Sequence, residues 1–197
     1  MRKTLSFAAA VMTFAAYSLP AVAEAPAGEQ FRTPTLAGWQ TQQPVKQGNI
    51  TMVTMIPPGA TPQDATEAVR VMREEGSKHT PKEFVDEAIA TNRKNCEGLQ
   101  VGPIDEAPIN GYKAASIRLA CTKSAHNGKS GLLGITAIAG KDALHVQQLI
   151  WFGPAVGANQ AVPVPNDTIK AWDVMMGNTF LCDSRDAKHP CAKEGKK

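Results

Sequence analysis

The chain has 197 residues, is 20% charged and 43% hydrophobic, and carries a formal net charge of +3. That length suits one domain with a full core, and a balance so close to neutral gives no sign of a nucleic-acid binder, which needs a basic patch to offset phosphates. Beyond residue 23 no apolar stretch approaches the ~18 residues of a membrane-spanning helix.

Residues 1–23 read as a secretory signal peptide. Met1-Arg2-Lys3 is a short basic start, Leu5 to Ala16 is apolar except for Ser6 and Thr13, and Ala21-Val22-Ala23 offers the small-x-small cleavage pattern after Pro20. The expected product begins at Glu24 and is periplasmic or secreted. Losing Arg2 and Lys3 leaves 19 basic against 18 acidic residues, about +1. Residues 24–37 are rich in Ala, Pro, Gly and Thr and read as a flexible or extended lead-in. A single domain is expected over 38–191, followed by a charged tail at 192–197.

Trp39 marks the start of the expected fold. Asn49 to Ile56 is apolar and β-branched enough for a strand, ended by Pro57-Pro58-Gly59. Thr61-Pro62-Gln63-Asp64 looks like a helix start, and Ala65, Ala68, Val69 and Met72 follow at helical spacing, with Gly76 closing the segment. Val69 and Val71 also alternate with Arg70, as in a strand; the helix is the reading adopted. Thr80-Pro81-Lys82-Glu83 is a capping box. The helix it opens carries Phe84, Val85, Ala88 and Ile89 on one face and runs to about Lys94, with Cys96 just beyond.

Strands follow. Leu99 to Ile104 is one, and Tyr112 to Thr122 another, with Ile117, Leu119 and Cys121 opposite Ser116 and Arg118. Gly131 to Ala139 and Ala143 to Phe152 form a hairpin about Gly140-Lys141. A tight turn there pairs Ala137 with Leu144, Ile135 with Val146 and Thr136 with His145. Leu133, Ile135, Ala137, Leu144, Val146, Ile150 and Phe152 then share a face. A two-residue turn at Asn127-Gly128 would pair Leu119 with Thr136 and send Ile117 and Leu119 to the other face. The conflict is resolved by a bulge, a longer loop, or a sheet covered on both sides. Gly153 to Pro165 reads as a loop. Asn166 or Asp167 is expected to cap a last helix whose stripe is Ile169, Trp172, Met176 and Phe180. The fold class is therefore α+β: an antiparallel sheet flanked by helices, with a C-terminal helix and a disulfide-closed tail.

Cys96, Cys121, Cys182 and Cys191 form an even set in an oxidising compartment, which allows three disulfide pairings. Cys96–Cys121 and Cys182–Cys191 are favoured, the second stapling the tail. Thiolate metal binding has no C-x-x-C spacing and no histidine pair behind it.

No catalytic set, metal site or cofactor is expected. Gly128-Lys129-Ser130 lacks the earlier P-loop glycine, with Lys123 in its place, and Ser130-Gly131 breaks the nucleophile-elbow frame. His145 is the one histidine on a well-defined strand, and a small hydrolase using it is the enzymatic alternative, although no acid is placed to orient it. His189 lies between Cys182 and Cys191 near Asp183 and Asp186. With Met52, Met55, Met72, Met175 and Met176 it supports a metal or copper carrier as a further alternative, but core packing accounts better for the methionines. Arg118, Thr136, His145, Gln147 and Trp151 form a polar strand face and the candidate binding surface, with Trp151 expected to be exposed.

Gly38-Trp39, Pro57-Pro58-Gly59, the helix leading to Cys96, Gly111-Tyr112, Gly140-Lys141-Asp142 and the Cys-Asp-Ser-Arg…His-Pro-Cys tail together resemble uncharacterised exported proteobacterial proteins. The element order is also similar to the PsbP/Mog1-like α/β/α sandwich. That resemblance implies an antiparallel sheet between helices and a binding or assembly role. The function expected is a non-enzymatic exported accessory domain contacting an unknown protein partner of the cell envelope through a sheet face or the Gly153 to Pro165 loop.

Overall fold

The structure is a computed structural model that describes residues 27–34 and 36–191. The expected signal peptide and the charged tail lie outside the described residues. In chain order the elements are β1 (Glu29–Arg32), β2 (Gln40–Thr41), β3 (Val45–Gln47), β4 (Ile50–Ile56), β5 (Glu67–Glu75), α1 (Pro81–Asn95), β6 (Leu99–Val101), β7 (Ala114–Cys121), β8 (Ser130–Ala139), β9 (Ala143–Gly153), α2 (Asn166–Gly177) and β10 (Phe180–Asp183). The main sheet runs β2-β4-β5-β9-β8-β7-β6, with β3 also on β4, and β1 pairs with β10 apart from it. All these pairings are antiparallel.

The sheet is buried on both faces. On one face Val85 of α1 packs on Ile117, Leu119, Ile135, Ala137, Leu144 and Val146, with Phe84, Ala88 and Ile89 beside it. On the other, Trp172 and Met175 of α2 pack on Val69, Leu132, Leu149 and Trp151. Leu181 of β10 and Phe31 of β1 cover Tyr112, Ala114 and Ile138 on that same side. The α+β expectation is met, as are both disulfides: Cys96–Cys121 and Cys182–Cys191, with Cα atoms 5.7 and 4.9 Å apart. The capping box also forms. The Thr80 hydroxyl accepts from the Glu83 amide (3.2 Å), and the Glu83 carboxylate accepts from the Thr80 amide (2.7 Å).

Three sequence expectations change, and one left open is decided. Glu67–Glu75 is a strand, not a helix, and lies between β4 and β9. A strand buried on both faces carries apolar residues on each, so Ala68, Val69 and Met72 imitate helical spacing. The β8–β9 pairs are displaced by two residues: Ala137 faces Val146 and Thr136 faces Gln147. The turn is centred on Lys141-Asp142, and its closing bond runs from the Gly140 amide to the Ala143 carbonyl (2.9 Å). A two-residue slip preserves parity, so the expected apolar face survives. Between β7 and β8 the longer loop is realised, so Ile117 faces Ile135 and Leu119 faces Leu133. Finally, α2 starts after Pro165 with no side-chain cap from Asn166 or Asp167.

Glu29–Arg32, inside the compositional lead-in, is tied to the fold as β1. Its Glu29 carboxylate accepts from the turn amides of Lys141 and Asp142 (3.1 Å for the latter) and lies 3.2 Å from His145 Nε2. An acidic side chain from the N-terminal strand thus caps the turn on which the hairpin register is centred.

Candidate functional site: a cationic groove beside the first helix

α1 crosses only part of its sheet face. Its last turns, the loop at 122–129 and the sheet enclose a groove of about 390 Å³. Leu119, Leu133, Ile150 and Phe152 line it with apolar surface. Arg70, His126 and Lys129 also line it, whereas none of the described lining residues is an aspartate or glutamate. Loop 122–129 is held against α1 by the bond from the Ala125 amide to the Asn95 carbonyl (2.8 Å) and by the Cys96–Cys121 bridge.

Arg70 is placed by strand parity. Val69 on β5 enters the α2-side core, so Arg70 faces the α1 side, across from Gln148 on β9. A guanidinium offers five N–H donors. Among the described residues, the one polar contact of Arg70 is Nη1 to the Gln148 side-chain oxygen at 3.4 Å, and its Nε is buried with no partner. It has no ion pair among the described residues. Burial pulls its pKa below the ordinary arginine value by disfavouring the charged form.

A larger cavity, about 680 Å³, lies on the opposite side between the end of α2 and the segment after β6, lined by Ser116, Thr136, Asn178 and Thr179 among others. The Thr136 hydroxyl at this cavity, and the amide nitrogen of Gln147 across from it on β9, are buried without partners among the described residues. Orphaned neutral groups cost ~1–3 kcal/mol each, and a desolvated charge lacking a counter-charge costs more. The Arg70 groove is therefore the harder of the two to explain as packing.

The five residues singled out from the sequence share the α2-side sheet face, which is covered rather than open. Thr136 and Gln147 face each other, and the Gln147 oxygen accepts from the Thr179 hydroxyl (2.9 Å). Arg118 pairs with Asp173 of α2. Trp151, expected to be exposed, is 7% accessible in the Trp172 cluster. His145 lies under β1, stacked on Phe31 with ring centroids 5.3 Å apart. Burial lowers the His145 pKa, against the opposing pull of Glu29.

The tail forms a second polar cluster. The Asp183 carboxylate is held down to about 2 by hydrogen bonds from Arg185, which also pairs with Asp142 and whose own pKa is raised by the two acids. Glu29, Asp142 and Asp183 are close enough together to ligate an ion. Each is already engaged: the first by the turn amides and His145, the other two by Arg185. His189 stacks on Tyr112 at 3.9 Å, and its Nδ1 lies 2.7 Å from the Asn110 carbonyl.

No family model and no curated protein sequence matches the chain. Among solved structures it is similar to PA94, a protein of unknown function from Pseudomonas aeruginosa, at 15% identity and a TM-score of 0.44, over 75% of this chain and 94% of that one. It is also similar to LpqN, involved in cell envelope biogenesis of Mycobacterium tuberculosis, at 16% identity and a TM-score of 0.42, over 81% and 87%. Likenesses of that size carry no argument about this chain's function.

Sequence reasoning missed Arg70. The signal was present in Val69-Arg70-Val71: once the segment is a strand, a lone arginine falls on an inward face beside Ala68 and Met72.

Proposed function

We propose that the protein is an exported, disulfide-locked, non-catalytic binding domain that holds a protein partner of the cell envelope in the α1-side groove. The observation that carries this reading is Arg70: a half-buried guanidinium with no carboxylate partner among the described residues, set among apolar side chains in a groove whose described lining holds no acid. The signal-like start and the two disulfides support export into an oxidising compartment. The resemblance to the PsbP/Mog1-like sandwich read from the sequence implies a binding or assembly role, which agrees with this reading.

The hydrolase alternative needs substrate to reach His145, whose side chain is 3% accessible and walled in by Glu29 and Phe31. The copper alternative needs convergent methionines. Met55, Met175 and Met176 pack on the α2 side, whereas Met72 packs on the α1 side.

The test is co-purification from periplasm of the tagged full-length protein beside its Arg70→Gln variant. A partner recovered with the wild type and depleted at least several-fold with the variant supports the reading. Recovery that is indifferent to Arg70, or no reproducible partner, contradicts it.

A further inference from the structure

The groove offers a specific set of chemical groups. At one place it holds a guanidinium whose Nε is sealed from the groove and whose Nη1 bonds Gln148 only weakly (3.4 Å), leaving its Nη edge, the fork that suits a carboxylate, for a ligand. Beside it lie Leu133, Ile150 and Phe152. On the α1 wall, Asn92 and Asn95 each give one side-chain N–H to their own helix, bonding the Ala88 carbonyl (2.8 Å) and the Thr91 carbonyl (3.0 Å). The helix bonds turn the amide nitrogens toward α1 and leave the side-chain oxygens, beside the second N–H of each, for a ligand; such oxygens accept from peptide N–H groups.

We infer that the groove receives the C-terminal end of a partner polypeptide, with Arg70 binding the terminal carboxylate, the Leu133–Ile150–Phe152 surface taking an apolar last side chain, and Asn92 and Asn95 accepting from its backbone. This rests on the binding-domain reading above and names what that domain recognises. A terminal residue carries its carboxylate and its side chain on one Cα, so a groove that places a cation against apolar surface fits both at once. A fatty carboxylate would satisfy Arg70 and the apolar surface but bring no N–H to the two asparagines. Inorganic phosphate would satisfy Arg70 and Lys129 but leave the apolar surface uncovered and bring no N–H to the asparagines.

The experiment is an amide-resonance NMR titration of the exported protein with disulfides intact. The probes are Ac-Ala-Ala-Ala-Phe as the free acid, the same peptide as its C-terminal amide, and decanoate below its micellar range. The free acid is expected to shift resonances of Asn92, Asn95 and Gly131 to Leu133, and to bind about tenfold or more tighter than the amide, as loss of a charge-assisted hydrogen bond requires. Arg70→Gln should bring acid and amide to the same affinity, and Arg70→Lys should recover part of the gap. Unchanged far-ultraviolet dichroism and thermal midpoints show that both variants fold.

Equal binding of acid and amide at the groove overturns the carboxylate inference and leaves the binding-domain reading standing. Decanoate binding there more tightly than the free acid overturns it in favour of an acyl ligand. Shifts confined to the α2-side cavity, or no binding by any probe, overturn it outright. The binding-domain reading fails separately, on co-purification.

Discussion

Replacing Glu29 by alanine is the sharpest test of how the N-terminal strand belongs to the fold. The carboxylate, 1% accessible, receives the Lys141 and Asp142 amides and faces His145 Nε2. Hydrogen bonds to a charged group contribute ~1.5–3 kcal/mol each. The Lys141 amide lies at an exposed turn, where water replaces the lost acceptor, so its share is small. The Asp142 amide and the buried imidazole lose acceptors that water reaches poorly. Removing an anion close to Asp142 and Asp183 returns a little of that loss. The net expectation is about 3–5 kcal/mol of destabilisation at neutral pH. Glu29→Gln, which keeps one acceptor oxygen, should lose about half as much. The assay is urea unfolding of the oxidised protein followed by tryptophan fluorescence, with the m-value checked for two-state behaviour. A loss below about 1 kcal/mol for Glu29→Ala would refute the reasoning, because it would mean that β1 is held by its β10 ladder and Phe31 and not by the Glu29 carboxylate.

Gly98→Ala should destabilise by ~2 kcal/mol or more, since its φ is +88° and a Cβ would meet the Ala158 carbonyl at 2.6 Å; thermal melts check this. Breaking Cys182–Cys191 or Cys96–Cys121 by paired serine substitution should lower stability by roughly 2.5–3.5 kcal/mol in a chain-entropy account, the longer loop losing more, as read by the urea midpoint. Acid should weaken the fold in two steps. The His145 pKa is lowered on folding, so its contribution is full above the unfolded value of about 6.5 and falls away as pH drops below it; His145→Gln should flatten that step in a stability-versus-pH series. Asp183, held down to about 2, contributes above the ordinary aspartate range, and that contribution disappears between about pH 4 and pH 2.

Local signals were legible wherever they were self-contained. Thr80 and Glu83 complete each other within one turn, so the capping box and α1 could be read directly. The cysteine pairing followed from position along the chain. The β8–β9 face was correct although its register was not, because parity depends on alternation while register depends on the turn. The turn here is centred by Glu29, more than a hundred residues earlier, which no local pattern contains.

The sheet is the source of the remaining errors. With α1 on one face and α2 with β1–β10 on the other, inward residues occur on both sides of every central strand. Ala68, Val69 and Met72 therefore imitated a helix, and Thr136, His145, Gln147 and Trp151 imitated a solvent-facing row. Gln147 and Thr136 are polar yet 1% and 2% accessible: the Gln147 oxygen meets Thr179, while the Gln147 nitrogen and the Thr136 hydroxyl have no partner among the described residues. Arg70 was hidden by the same mistake: on a helix it would be an ordinary surface cation, and only the strand assignment turns it inward.

The most direct test of the central claim is site-specific photo-crosslinking in living cells from two positions, Asn95 at the α1-side groove and Asn178 at the α2-side cavity. The account predicts a discrete adduct from Asn95 that disappears when Arg70→Gln is introduced, and none from Asn178. An adduct from Asn178 alone, or one from Asn95 that persists without Arg70, would contradict it.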